Sequence, residues 1–220
     1  MSAMTSAVIE FKPRRTPPAR KYRGSDRPSL SIDMLKAVLT AATAAGRREA
    51  AMFVLAFSHG LRVSELAGLR VSDVDLPNGK ILIRRLKGSN DSWQGICADL
   101  FGFDERAVIA AWLTERQWVP GADSDLLFPS RKMRADGSRQ LDRAQLHRIF
   151  GRVCDAAGVP EERQHLHALR HSCGQLLFNA GVRLEEIQHR LGHRSIASTS
   201  IYARPTSDSV NRAVSAAFSS

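Results

Sequence analysis

Cysteine, lysine and tyrosine are all scarce in this chain, and long apolar runs are missing. The 220 residues include three cysteines, Cys97, Cys154 and Cys173, an odd number with no Cys-x-x-Cys pair. A disulfide framework or a thiolate zinc site is therefore not expected, and a reducing cytoplasm fits best. No stretch of about 18 apolar residues occurs, so no membrane-spanning helix is expected. The opening, MSAMTSAVIEFKPRR, carries its basic residues after a weak apolar patch, the wrong order for a secretory signal. No GxxxxGK[ST] phosphate loop is present. Positive charge, by contrast, is abundant: 32 Lys and Arg against 22 Asp and Glu, a net +10. Only six of the 32 are lysine. The arginine fork matches phosphate oxygens, so a basic domain of this kind reads as a nucleic-acid footprint. An arginine-rich codon bias is the competing explanation for the count.

With 43% hydrophobic residues the chain can bury a core without staples. Residues 1–27 read as a basic, proline-containing tail that carries +5 of the +10. From residue 28 the pattern turns globular. Helical spacing covers 31–45, 47–59, 63–70, 104–119, 141–157, 166–181 and 184–192, with Gly46, Gly60 and Gly158 as stops. Leu76-Pro77-Asn78-Gly79 predicts a turn into a strand, KILIRRL, and a second turn at 87–90 leads into a returning strand near 91–97. Residues 126–131 form a short extended piece, and a last helix is expected over 208–218. The fold class is mainly α with a small antiparallel β-sheet.

Five features carry chemistry. Arg62 in HGLRVSEL stands three residues before Glu65; on a helix the two share a face, and the carboxylate can fix the guanidinium. Lys87 occupies a hairpin tip, where a lysine is ordinarily idle or reaches a groove or a leaving oxygen. His167 and Arg170 in HALRHS are spaced to lie on one helix face near its N-terminus, a setting that favours an anion. His193 follows a helix stop in RLGHRS, and Tyr202 comes nine residues later in STSIYAR. Two competing readings use the same residues. His165, His167 and His171 form HxHxxxH, which could ligate zinc, although Arg170 inside the cluster repels a divalent cation. LEEIQHRLGHRSIASTSIY has a helix-turn-helix rhythm, which leaves Arg62 and Lys87 unexplained.

Taken together, these segments resemble the tyrosine recombinases, or phage integrase family. The boxes are Gly60-Leu61-Arg62-Val63-Ser64-Glu65-Leu66, Lys87, His167-Ala168-Leu169-Arg170-His171, Leu191-Gly192-His193 and Tyr202, in the family's order and spacing over residues 28–205. AFSHGLRVSEL and the RRLKGS hairpin look most like the short fimbrial phase-switch invertases. Two departures stand out. About 27 residues precede the catalytic region, where most members carry a core-binding domain, and Ser58-His59 replaces the usual Thr ahead of Gly60.

The resemblance implies a catalytic-domain fold of the DNA breaking-rejoining type and a site-specific recombinase acting on duplex DNA, with no metal and no nucleotide cofactor. Tyr202 would be the nucleophile, His167 its base, Arg62 and Arg170 the phosphate clamps, His193 a further donor and Lys87 the general acid. Glu65 and His171 would stand behind them as orienting residues. It also implies a homotetrameric synapse, DNA-bending accessory proteins, residues 206–220 as a C-terminal helix exchanged between subunits, and a location at the bacterial nucleoid in the cytoplasm. A topoisomerase of the same chemistry, and a DNA-binding regulator with the fold alone, are the alternatives.

Overall fold

The computed structural model describes residues 29–85, 90–203 and Ser215. Helix α1 (Ile32–Ala45) starts where the Ser31 hydroxyl accepts the Met34 amide at 3.2 Å, and buries Leu35, Val38, Leu39 and Ala42 along one stripe. Gly46 (φ 140°) ends α1 and opens α2 (Arg47–Ser58) with no residue between. Helix α2 buries every residue from Ala50 to Ser58. It is the central rod, packed by α1, by α4 (Glu105–Arg116) and by α6 (Leu166–Asn179). Phe53 of α2 stacks on Phe150 of α5 (Arg143–Ala156), with ring centroids 5.3 Å apart. Each such side chain contributes about 1.5–3 kcal/mol on burial.

Helix α3 (Val63–Gly68) follows α2 after the Gly60 turn, and α7 (Leu184–Leu191) follows α6. Three strands, β1 (Val74–Asp75), β2 (Lys80–Ile83) and β3 (Ser92–Gly95), form an antiparallel sheet in that order. Its register pairs Val74 with Ile81 and Ile83 with Ser92. On β2 the buried residues are Ile81 and Ile83; on β3 they are Ser92 and Gln94, so the sheet turns a polar strip inward.

The mainly helical class holds, with particular corrections. Expected strand 80–86 stops at Ile83, because the Arg85 amide donates to the Asp91 carboxylate (2.8 Å) instead of to a strand neighbour. Expected helix 104–119 stops at Arg116, whose guanidinium turns back to the carbonyls of Ala122, Ser124 and Leu126 and ties up the loop that follows. The two-residue strand β1 was too short to show a period. Residues 126–131 make only isolated bridges, at Leu126 and Pro129. Around Tyr202 the chain forms two short 3-10 turns, Ile196–Ser198 and Ser200–Ala203, the second of which holds the tyrosine. Lys87, the tail 1–27 and the expected helix 208–218, apart from Ser215, lie outside the described residues. No described helix is long and apolar enough to cross a membrane.

Candidate active site

Arg62 is not in a helix; it is the extended residue that caps α3 (φ −74°, ψ 156°). That position explains the Arg-x-x-Glu spacing better than a shared helix face. The Glu65 carboxylate bends back to accept the Arg62 amide at 2.8 Å and its guanidinium at 2.5 Å. The far side of the guanidinium donates to the Gly192 carbonyl at 3.0 Å. Arg62 is thus held at both ends while its side chain stays 34% exposed, enough for a ligand to reach it.

Arg170 enters the same space from α6. Its guanidinium donates to the Gly60 carbonyl at 2.6 Å and stands 3.9 Å from Glu65. The other terminal nitrogen, Nη2, is buried with no hydrogen-bond partner among the described residues. Burial, with Arg62 repelling it, pushes the Arg170 pKa down to about 10, so the group stays charged at neutral pH. His167, one turn earlier on α6, is exposed, and His171, one residue later, is half-buried. Among the described residues no three His, Cys, Asp or Glu side chains gather closely enough to share a metal ion, and this includes His165, His167 and His171.

Helix α7 ends at Gly192 in the left-handed conformation (φ 62°, ψ 48°). The turn delivers His193, whose Nδ1 lies 2.9 Å from the buried Thr199 hydroxyl. Burial, then the charges of Arg170, Arg62 and Arg85, drive the His193 pKa down to about 4, so the ring is neutral at pH 7.

Tyr202 is 5% exposed. Its ring lies on α6 at Gly174, where a Cβ would come within 2.7 Å of the hydroxyl oxygen, and its centroid is 5.2 Å from that of His171. Gly174 lies one turn beyond Arg170 on α6, so the Tyr202 ring packs on the same helix as the arginine. Arg62, Glu65 and Arg170 therefore converge, and His193 follows the Gly192 turn that Arg62 binds; Tyr202 packs on α6 one turn beyond Arg170, against His171, and His167 lies exposed in the first turn of α6.

A model of the phage integrase family matches residues 29–208. The chain belongs to the phage integrase family. It is similar to the type 1 fimbriae regulatory protein FimE of Escherichia coli K12, 40% identical over 170 residues, which is 77% of this chain and 79% of FimE. Among solved structures, the XerA recombinase matches with a TM-score of 0.70 at 27% identity, over 91% of this chain and 66% of XerA. XerH site-specific recombinase in a pre-cleavage complex with difH substrate matches with a TM-score of 0.68 at 25% identity, over 88% of this chain and 55% of XerH. This family member is a tyrosine recombinase, an enzyme of site-specific DNA strand transfer.

Several residues of the recombinase cleft escaped the motif reading. Arg85 is fully buried and donates to Glu65 at 2.8 Å and to the Arg190 carbonyl. The period-two alternation of Ile81 and Ile83 already pointed position 85 inward. Arg190 clamps the end of α7 to the end of α2 through the Ser58 carbonyl (2.8 and 3.2 Å). Thr199 and Gly174 carried no signal, since each matters only through a partner brought close by folding.

Proposed function

We propose that Tyr202 attacks a scissile phosphodiester of duplex DNA, held by Arg62 and Arg170. The phenolic oxygen forms a bond to phosphorus, the bond from phosphorus to the 5′ oxygen breaks, and a 3′-phosphotyrosyl link remains. A phenol has an ordinary pKa near 10, so it needs a base and a positive field. His167 takes the phenolic proton; Lys87 gives one to the departing 5′ oxygen. Arg62 and Arg170 stabilise charge on the non-bridging oxygens, and neutral His193 donates one more hydrogen bond. The Thr199 hydroxyl donates to Nδ1, which keeps the ring's one proton on Nε2 for that bond. Reversal of the same steps with a different 5′ hydroxyl rejoins the strand, so the linkage energy is kept and no nucleotide is needed.

The observation that carries this reading is the unmatched positive charge one turn of α6 away from the Tyr202 ring: three guanidinium groups face the single carboxylate of Glu65, and Arg170 Nη2 has no partner among the described residues. A phosphate oxygen is the complement of that arrangement. Its partners are duplex recombination sites and further copies of the recombinase. We extend these to a homotetrameric synapse, with residues 206–220 exchanged between subunits and DNA-bending accessory proteins setting the geometry, in the cytoplasm at the nucleoid. The outcome is inversion, resolution or integration, and the resemblance of AFSHGLRVSEL and the RRLKGS segment to fimbrial phase-switch invertases favours inversion.

The test uses nicked duplexes in which the cleaved 5′ fragment diffuses away and traps the adduct. The wild type forms a denaturant-resistant complex; Tyr202→Phe forms none and binds DNA as before. An adduct from Tyr202→Phe overturns the assignment of the nucleophile. Relaxation of supercoils without a preferred site would favour the topoisomerase alternative.

A further inference from the structure

Arg85 has no role in the scheme above, yet three segments of the cleft converge on it. Its Nη1 donates to Glu65 Oε2 at 2.8 Å, the same oxygen that takes the Arg62 amide. Its Nη2 donates to the carbonyl of Arg190, near the end of α7. Its stem lies directly under Gly192, where a Cβ would stand 2.6 Å from Arg85 Nε and 2.7 Å from Cδ. Glu65 and the Gly192 carbonyl are the two anchors of Arg62. Arg85 therefore touches both supports of Arg62 while being fully buried itself, away from any direct encounter with DNA. Burying a guanidinium is unfavourable, and burial does lower its pKa, with Glu65 offsetting part of the loss. A hydrophobic side chain of the same length would fill the space, but it would leave Glu65 to be neutralised by Arg62 and Arg170 alone.

We propose that Arg85 is a positioning residue for strand cleavage: from beneath, it fixes Glu65 and the Gly192 stop, and so aims Arg62 at the phosphate and leaves it charge to spare. The proposal rests on the reading of Tyr202 and Arg62 given above.

The substrate for the test is a nicked duplex that the wild type captures covalently from a pool randomised around the nick. Single-turnover adduct formation and DNA affinity are measured for Arg85→Met, Glu65→Gln and the double variant. Arg85→Met is expected to slow cleavage about 10- to 100-fold, with affinity within about threefold of wild type. Because both residues act through one carboxylate, the double variant is expected to be no slower than the slower single. Multiplicative effects would mean that Arg85 acts without Glu65, and would overturn the proposal. So would a salt-dependence slope shallower by about one unit, the mark of a direct phosphate contact. Should Arg85→Met fail to fold, Arg85→Lys keeps charge and stem but loses the fork; it is expected to show a smaller loss with the same non-additivity, and full activity in it would overturn the clamp. A wild type that captures no duplex overturns the reading of Tyr202 and this proposal with it. An active wild type matched by Arg85→Met overturns this proposal alone.

Discussion

Two buried carboxylates, Glu65 and Glu105, stand in the first turns of α3 and α4, and both side chains are sealed from solvent. Their surroundings differ in kind. Glu105 accepts the Ser58 hydroxyl at 2.5 Å and the Cys97 amide at 2.7 Å, and lies 3.1 Å from His59. His59 is in turn 2.8 Å from Gln94 of the sheet. Burial alone would push the Glu105 carboxyl up, but His59, Ser58 and the Cys97 amide outweigh it and leave the pKa below the usual range. This cluster sets one carboxylate among a hydroxyl, an amide and a single imidazole. Glu65 instead faces three guanidinium groups, two of which, Arg85 and Arg170, keep an unpartnered buried nitrogen. The first carboxylate welds the end of α2 to the sheet and α4. The second leaves positive charge in excess around it. Burial does not separate structural from functional acids in this protein; the balance of charge around them does.

The contrast breaks or sharpens with four measurements. Glu105→Ala strands His59 in the interior and is expected to cost about 3–5 kcal/mol. For a domain of this size that lowers the melting temperature by about 10 °C. Cleavage per folded molecule, assayed below the transition, should be unchanged; a cleavage loss without a melting shift would erase the distinction. Arg62→Ala and Arg170→Ala should do the reverse, slowing adduct formation about 10²–10³-fold, equivalent to about 2.7–4 kcal/mol. Their melting temperatures should fall less than that of Glu105→Ala, because each relieves like-charge repulsion as it removes a bond. Gly174→Ala pushes a methyl group into the Tyr202 ring, and overpacking of this type costs about 1–3 kcal/mol. A melting point lower by several degrees with slower adduct formation is expected; an unchanged enzyme would mean that the tyrosine does not rest there.

The smallest effect is in pH. Folding depresses the His193 pKa from 6.5 to about 4, so the unfolded chain takes up the proton more readily. Stability is fully present above pH 6.5 and is lost as pH falls toward 4. Because the ring is partly exposed, solvent screening makes this loss modest. Thermal melts of wild type and His193→Gln should keep a constant offset above pH 6.5, and the wild type should lose stability relative to the variant as pH falls from 6.5 toward 4. Parallel curves across that window would show that burial and the neighbouring arginines do not depress the His193 pKa.

Much of this was legible in the sequence, and what was not has a physical reason. Helices α1, α2, α5, α6 and α7 follow apolar periods and glycine stops, which are local signals, so their limits agree to within a residue or two with the spacing. The Gly-Leu-Arg-x-x-Glu-Leu, His-x-Leu-Arg-His and Leu-Gly-His boxes, distant in sequence, are neighbours in the fold, with Arg62 and Arg170 sharing Glu65 and Arg62 bound to the Gly192 carbonyl. Local reasoning erred at Arg62, where a cap was read as a helix face, although the partner, Glu65, was right. It was blind to Arg85, Thr199 and Gly174, since their meaning lies in Glu65, His193 and Tyr202 across the fold. The polar inner face of β3 was likewise hidden, because Gln94 is buried only to reach His59 and the Arg190 carbonyl.

Gly192 ties these threads at a single atom's width. Its left-handed backbone excludes most side chains, and Arg85 beneath it excludes the remainder. One methyl group there would lift the loop bearing His193 and loosen the grip on Arg62 in the same motion. Two chemically independent side chains thus share a common point of failure, and no drift in sequence at that position can disturb one while sparing the other.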